Sequence, residues 1–91
     1  MLFTWDPVKA ARNLNEHGVS FEEAATVFAD PLAAIHDDHE HSVGEHREVI
    51  VGHSTAHRLL LVFFTERGDV IRIISARQAD SQERKQYEEN S

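Results

Sequence analysis

Apolar positions change their period along the chain. Phe3-Thr4-Trp5 is a short strand-like opening. Asp6-Pro7 then starts a helix, because Asp6 can accept from the free amides and Pro7 suits the first helical position. Ala10, Ala11 and Leu14 give this helix a thin apolar stripe, and Gly18 fits the left-handed position just past its end. Ser20 and Glu23 have the spacing of a capping box for a second helix, in which Phe21, Ala24, Ala25 and Phe28 share one face. Asp30-Pro31 stops it.

Strands follow. Leu32 to Asp37 is a weak candidate, Arg47 to Gly52 and Arg58 to Glu66 are better, and Asp69 to Arg77 is strong. Arg67-Gly68 marks a tight hairpin turn, with glycine supplying a positive φ. A polar helix from Asp80 to Glu89 closes the chain. The predicted order is β-α-α-β-β-β-β-α, one α+β domain over residues 1–91 with an antiparallel sheet packed on two N-terminal helices. Leu59 to Phe64 is apolar on both faces, so its strand should be central and covered on both sides. The two N-terminal helices can cover one side. The last helix offers little but Tyr87, so either some apolar sheet surface remains for a partner or the run packs within the core of a small monomer.

Composition narrows the function classes. The chain has no cysteine, which excludes disulfides, thiolate catalysis and cysteine-ligated metal sites. Its longest apolar run falls far short of the ~20 residues that span a bilayer. Met1 to Trp5 lead directly into charged residues without a signal-peptide pattern, so a cytoplasmic location is expected and no membrane partner. The net charge of −7 argues against non-specific nucleic-acid binding. The acidic excess is confined to residues 1–48, with ten acids and three bases, while residues 49–91 hold six of each. An acidic face of this kind suits a basic protein partner.

Arg72-Ile-Ile-Ser-Ala-Arg77 stands out against this background. Arginine offers a planar fork of donors to phosphate and keeps its charge. A strict period of two puts Arg77 with Ser75, Ile73 and Ile71 on one face, and Arg72 with Val70, Ile74 and Ala76 on the other. Both arginines then serve one site only if the strand twists or bulges. Six of the seven histidines lie between His36 and His57. His36, His39 and His41, mixed with Asp37, Asp38 and Glu40, raise the question of a divalent metal, but no His-Glu-x-x-His pattern is present and no metal site or cofactor is expected.

In combination these segments resemble a known family. Trp5-Asp6-x-x-Lys9-x-x-x-Asn13 and His17-Gly18-Val19-Ser20-Phe21-x-x-Ala24 resemble the start of BrnT toxins. So do His41-Ser42-x-x-Glu45-x-Arg47, Gly52, Arg58-Leu59, Ile74-Ser75-Ala76-Arg77 and Glu83-Arg84-x-x-Tyr87. The pattern runs in order over nearly the whole chain. It departs at Glu16, where a lysine usually precedes the histidine, and in the extra histidines. The resemblance implies a type II toxin with a RelE-like fold that cleaves RNA without a metal and inhibits translation. It also implies a BrnA-like ribbon-helix-helix antitoxin, through which the complex reaches promoter DNA.

Metal-free RNA cleavage needs fixed cations around the phosphate and a group that moves a proton. Arg77, at the rim of the last strand, is the first choice for the phosphate clamp, with Arg58 and Arg47 beside it. His41 is the candidate acid or base, and Glu45 either shares that role or orients Arg47. Arg72, Tyr87 and Lys9 are candidates for holding the substrate. Two other classes compete: a non-catalytic module that acts as co-repressor with a DNA-binding antitoxin, and a histidine-rich metal binder.

Overall fold

Helix-start signals settle the first third of the molecule. The structure, a computed structural model, describes residues 1–41 and 44–90. After strand β1 (Leu2–Thr4), Asp6 Oδ1 accepts from the Val8 amide at 2.8 Å and opens helix α1 (Pro7–His17). Ser20 Oγ accepts from the Glu23 amide at 3.0 Å and opens helix α2 (Phe21–Thr26), which tightens into a 3-10 turn at Val27–Ala29. The expected capping box at Ser20 is only half made here, because the Glu23 carboxylate is drawn to Arg58 instead. The complete box lies later, where Asp80 and Glu83 cap each other's amides at the start of helix α3 (Ser81–Glu89).

Strands β2 (Ala34–Asp37), β3 (Glu48–His53), β4 (Leu59–Arg67) and β5 (Val70–Gln78) form an antiparallel meander. A 3-10 turn at His39–His41 sits between β2 and β3. The spatial order is β1-β5-β4-β3-β2. β1 pairs with β5 in parallel, Leu2 opposite Val70 and Thr4 opposite Arg72, so the sheet is mixed and not wholly antiparallel as expected. Hydrophobic patterning sets which residues are buried, but it carries no information on the direction in which a three-residue edge strand pairs.

Leu60, Val62 and Phe64 of β4 point into one core with Ile50, Ile71, Ile73 and Ala76 from the neighbouring strands. Val19, Phe21, Ala24 and Val27 close that core from the helical side. Fully burying a side chain the size of Phe21 or Phe64 contributes about 2–3 kcal/mol. Gly52 marks the tightest approach: a Cβ there would lie 2.7 Å from Ala33 Cβ and 2.9 Å from Asp30 Oδ2. On the opposite sheet face Leu59 and Leu61 are also buried. α3 lies over that side and buries none of its own residues, leaving a groove of about 370 Å³ lined by Ala34, Val49, Val51, Leu61 and Tyr87.

β1 covers β5 only as far as Arg72. Beyond it the edge of β5 is closed by a side chain. Asn13 of α1 donates to the Ala76 carbonyl at 2.8 Å and accepts from the Ala76 amide at 3.1 Å, as a strand residue would. It also donates to the Val19 carbonyl at 2.9 Å. Asn13 is therefore buried structure.

Candidate functional site

The pairing of β4 with β5 slips between Phe63 and Phe64. Phe64 faces Ile73, while Phe63 faces Ser75, which leaves Ile74 as an extra residue. Such a bulge bends the strand and re-aims the side chains beyond it. Arg72 pairs with Thr65, Ser75 with Phe63 and Arg77 with Leu61, so all three lie on the face that carries α3. The strict alternation that separated Arg72 from Arg77 is thus overturned. Ile71 and Ile73 point into the core before the bulge, and Ala76 takes over after it.

The bulge sits at the mouth of a cleft of about 320 Å³ lined by His17, Asp38, Arg47, Phe63, Ile74, Ser75, Ala76 and Arg77. Arg47 enters from the residue just before β3, and His17 from the last turn of α1. A smaller groove of about 200 Å³ shares His17, Ile74 and Ser75 and runs on past Lys9 and Arg12 along α1. Arg47 and Arg77 in the cleft and Lys9 and Arg12 in the side groove are thus the cationic lining of two adjoining depressions, with Asp38 and Glu16 among them.

Arg77 is held from two sides. Its Nη1 and Nη2 donate to the two Glu83 carboxylate oxygens at 2.7 and 2.8 Å. Its guanidinium also lies 6.0 Å from the centroid of the Phe63 ring. Glu83 is the same residue that completes the α3 capping box, so the helix start fixes the clamp. The Glu83 carboxyl is held down at about 2, first by its bonds to Arg77 against the opposing effect of burial, with the Asp80 amide adding a lesser pull. Arg77 is correspondingly raised above the usual guanidinium range by its bonds to Glu83. None of these contacts uses Nε–H, so donor capacity remains for an oxyanion.

The other expected site residues divide. Arg47 and Arg77 share the cleft. Arg58 does not: its Nε donates to Glu23 at 2.9 Å and its Nη2 to the Gly18 carbonyl at 2.9 Å. Ser54 Oγ joins the same carboxylate at 2.7 Å, and Arg58 pulls the Glu23 carboxyl below its usual range. That cluster ties the start of β4 to α2. Glu45 pairs with Arg67, whose Nε lies 2.8 Å from its carboxylate. It therefore steadies the β4–β5 hairpin end. Arg72 is exposed and outside the cleft lining. Lys9 lines the side groove. Tyr87 anchors α3, donating to the Leu32 carbonyl at 3.2 Å with its ring 5.8 Å from His53. Burial and the nearby Asp30 charge raise its phenol. The backbone of His41 falls in the 3-10 turn, but its side chain and residues 42 and 43 lie outside the described residues.

His17 was not among the expected site residues. Its place was legible only as a motif position beside Gly18, with no hint that α1 would end against the β5 bulge. Among the described residues no helix is long and apolar enough to cross a membrane.

Three comparisons bear on identity. Residues 5–83 match the model of a family described as "Ribonuclease toxin, BrnT, of type II toxin-antitoxin system". The fold is similar to the crystal structure of the Brucella abortus ribonuclease toxin, BrnT, with a TM-score of 0.67 and 20% identity, covering 89% of this chain and 100% of that one. A comparison with curated proteins found no match.

Proposed function

Because the chain belongs to the BrnT family of ribonuclease toxins of type II toxin–antitoxin systems, we propose that it cuts messenger RNA in the cleft between Arg47, Arg77 and His17, without a metal in the reaction, and so inhibits translation in the cytoplasm. The observation that carries this reading is the bulge at Ile74, which turns Arg77 into the cleft that Arg47 lines.

The chemistry follows from those side chains. A ribose 2′-hydroxyl gives its proton to an imidazole nitrogen of His17, which lines the cleft. The 2′ oxygen forms a bond to the adjacent phosphorus, and the bond to the 5′ oxygen breaks. The leaving oxygen takes a proton from water. Charge that builds on the phosphate oxygens in between meets two guanidinium groups, one pre-set by Glu83 and Phe63. Fixed donors of this kind contribute about 3–4 kcal/mol each where they have been removed singly. Lys9 and Arg12, along the side groove, hold the strand beyond the cut. Arg58 acts on the fold through Glu23 and not on the phosphate.

A type II system implies an antitoxin. We assign that role to a BrnA-like ribbon-helix-helix protein that carries the complex to promoter DNA, and the acidic excess of residues 1–48 suits a basic partner. Purified protein freed of antitoxin should degrade RNA in EDTA, and folded Arg77→Ala should not. Intact RNA after incubation with the folded wild type would leave only the non-catalytic, co-repressing role.

A further inference from the structure

The histidine-rich segment has an order that its sequence does not reveal. Asp37 and Glu48 are register partners in the β2–β3 ladder, so their carboxylates stand opposite one another on one face. Like charges in that position destabilise a sheet unless a cation lies between them. His46, two residues before Glu48, brings its Nε2 to 3.1 Å from Asp37 Oδ1. One ligand atom from each of Asp37, His46 and Glu48 lies within 4.8 Å of the others. The Nε2 of His39 lies 3.9 Å from the other Asp37 oxygen. An imidazole and two carboxylates form a mixed nitrogen and oxygen donor set, which suits zinc and related divalent ions. His36 points elsewhere, into the groove beneath α3 with Val49 and Val51.

We propose that Asp37, His46 and Glu48 bind a divalent transition-metal ion, with zinc the best fit to the donor set and His39 within reach of the fourth position. The ion would neutralise the facing carboxylates and fasten the loop between β2 and β3 to the sheet. Arg47 lies between His46 and Glu48 in sequence and lines the cleft. Pinning its two neighbours fixes the backbone from which it reaches the phosphate. The metal thus serves the fold and the placement of Arg47, and takes no part in the cleavage step.

The test uses the untagged full chain, stripped with EDTA and dialysed. Titration with zinc chloride followed by calorimetry should give one saturable site with a Kd below about 10 µM, together with a rise in melting temperature. Asp37→Asn and His46→Ala should each weaken binding at least about tenfold, while His36→Ala should leave it unchanged. If a variant fails to fold, cobalt added to the wild type should shift or broaden the amide signals of Asp37, His46 and Glu48 before those of His36 and His53. No saturable binding up to about 1 mM, equal loss in His36→Ala, or cobalt effects spread evenly over all the histidines would each overturn the proposal. Because binding and melting are read without RNA, these outcomes are independent of whether the protein proves to be a ribonuclease.

Discussion

Replacing Glu83 with glutamine removes a charge while keeping the shape of the α3 start, since glutamine also completes a capping box. In the fold the Glu83 carboxyl sits at about 2, against 4.5 unperturbed. Taken at full strength that gap corresponds to roughly 3.4 kcal/mol. The side chains of Arg77 and Glu83 are 37% and 28% exposed, so solvent screening reduces the expected contribution to about 1.5 kcal/mol. The sign follows from a depressed acid: the stabilisation is complete above the unfolded value of 4.5 and is lost as pH falls towards 2. For a domain of this size the variant should melt about 6–12 °C below wild type near neutral pH. Thermal unfolding followed by circular dichroism across a pH series should show the deficit shrinking to under half near pH 3 (roughly, from the same linkage). A deficit of equal size at both ends of the series would mean that lost packing, and not the ion pair, holds α3 to β5. No deficit near neutrality would refute the coupling between helix start and clamp.

Other substitutions probe separate parts of the account. Asn13→Ala should cost about 2–4 kcal/mol in denaturant unfolding, because it leaves the Ala76 amide and carbonyl at the β5 edge without partners. Lys9→Ala, one turn away and exposed, should change stability by less than about 0.5 kcal/mol. Gly52→Ala should lose about 2 kcal/mol, since the new methyl would lie 2.7 Å from Ala33 Cβ, which moves only with its backbone, and 2.9 Å from Asp30 Oδ2. His17→Ala, at an exposed helix end, should melt like wild type yet cleave RNA about 10²–10⁴-fold more slowly. A His17 variant with unchanged cleavage would remove it from the reaction.

Much of the fold was legible because local signals and burial agree. Asp6-Pro7, Ser20, Asp30-Pro31 and Asp80 mark their helix boundaries through backbone chemistry within a few residues. The unbroken Leu59 to Phe64 run forecast a central strand buried on both sides, as β4 is. What escaped depends on long-range pairing. The parallel docking of β1 and the extra residue at Ile74 are properties of two strands together, and neither sequence alone encodes them. The candidate site failed in the same places. Alternation put Arg72 and Arg77 on opposite faces because the bulge was invisible. Arg58 and Glu45 look like cleft residues in sequence, but Glu23 and Arg67 are their partners in space. His17 reaches the cleft only because Asn13 seats α1 on the β5 edge.

The contrast between two arginines tests the account most directly. Single-turnover RNA cleavage should be measured for Arg47→Ala and Arg58→Ala, freed of antitoxin, at a temperature where both are folded. Arg47→Ala is predicted, where it is folded, to cleave about 10²–10³-fold more slowly. Arg58→Ala is predicted to melt lower, by about 2–3 kcal/mol for the unpaired Glu23, and to cleave at close to the wild-type rate. Full cleavage by Arg47→Ala, or its loss in a folded Arg58→Ala, would contradict the placement of the reaction in the Arg47–Arg77 cleft.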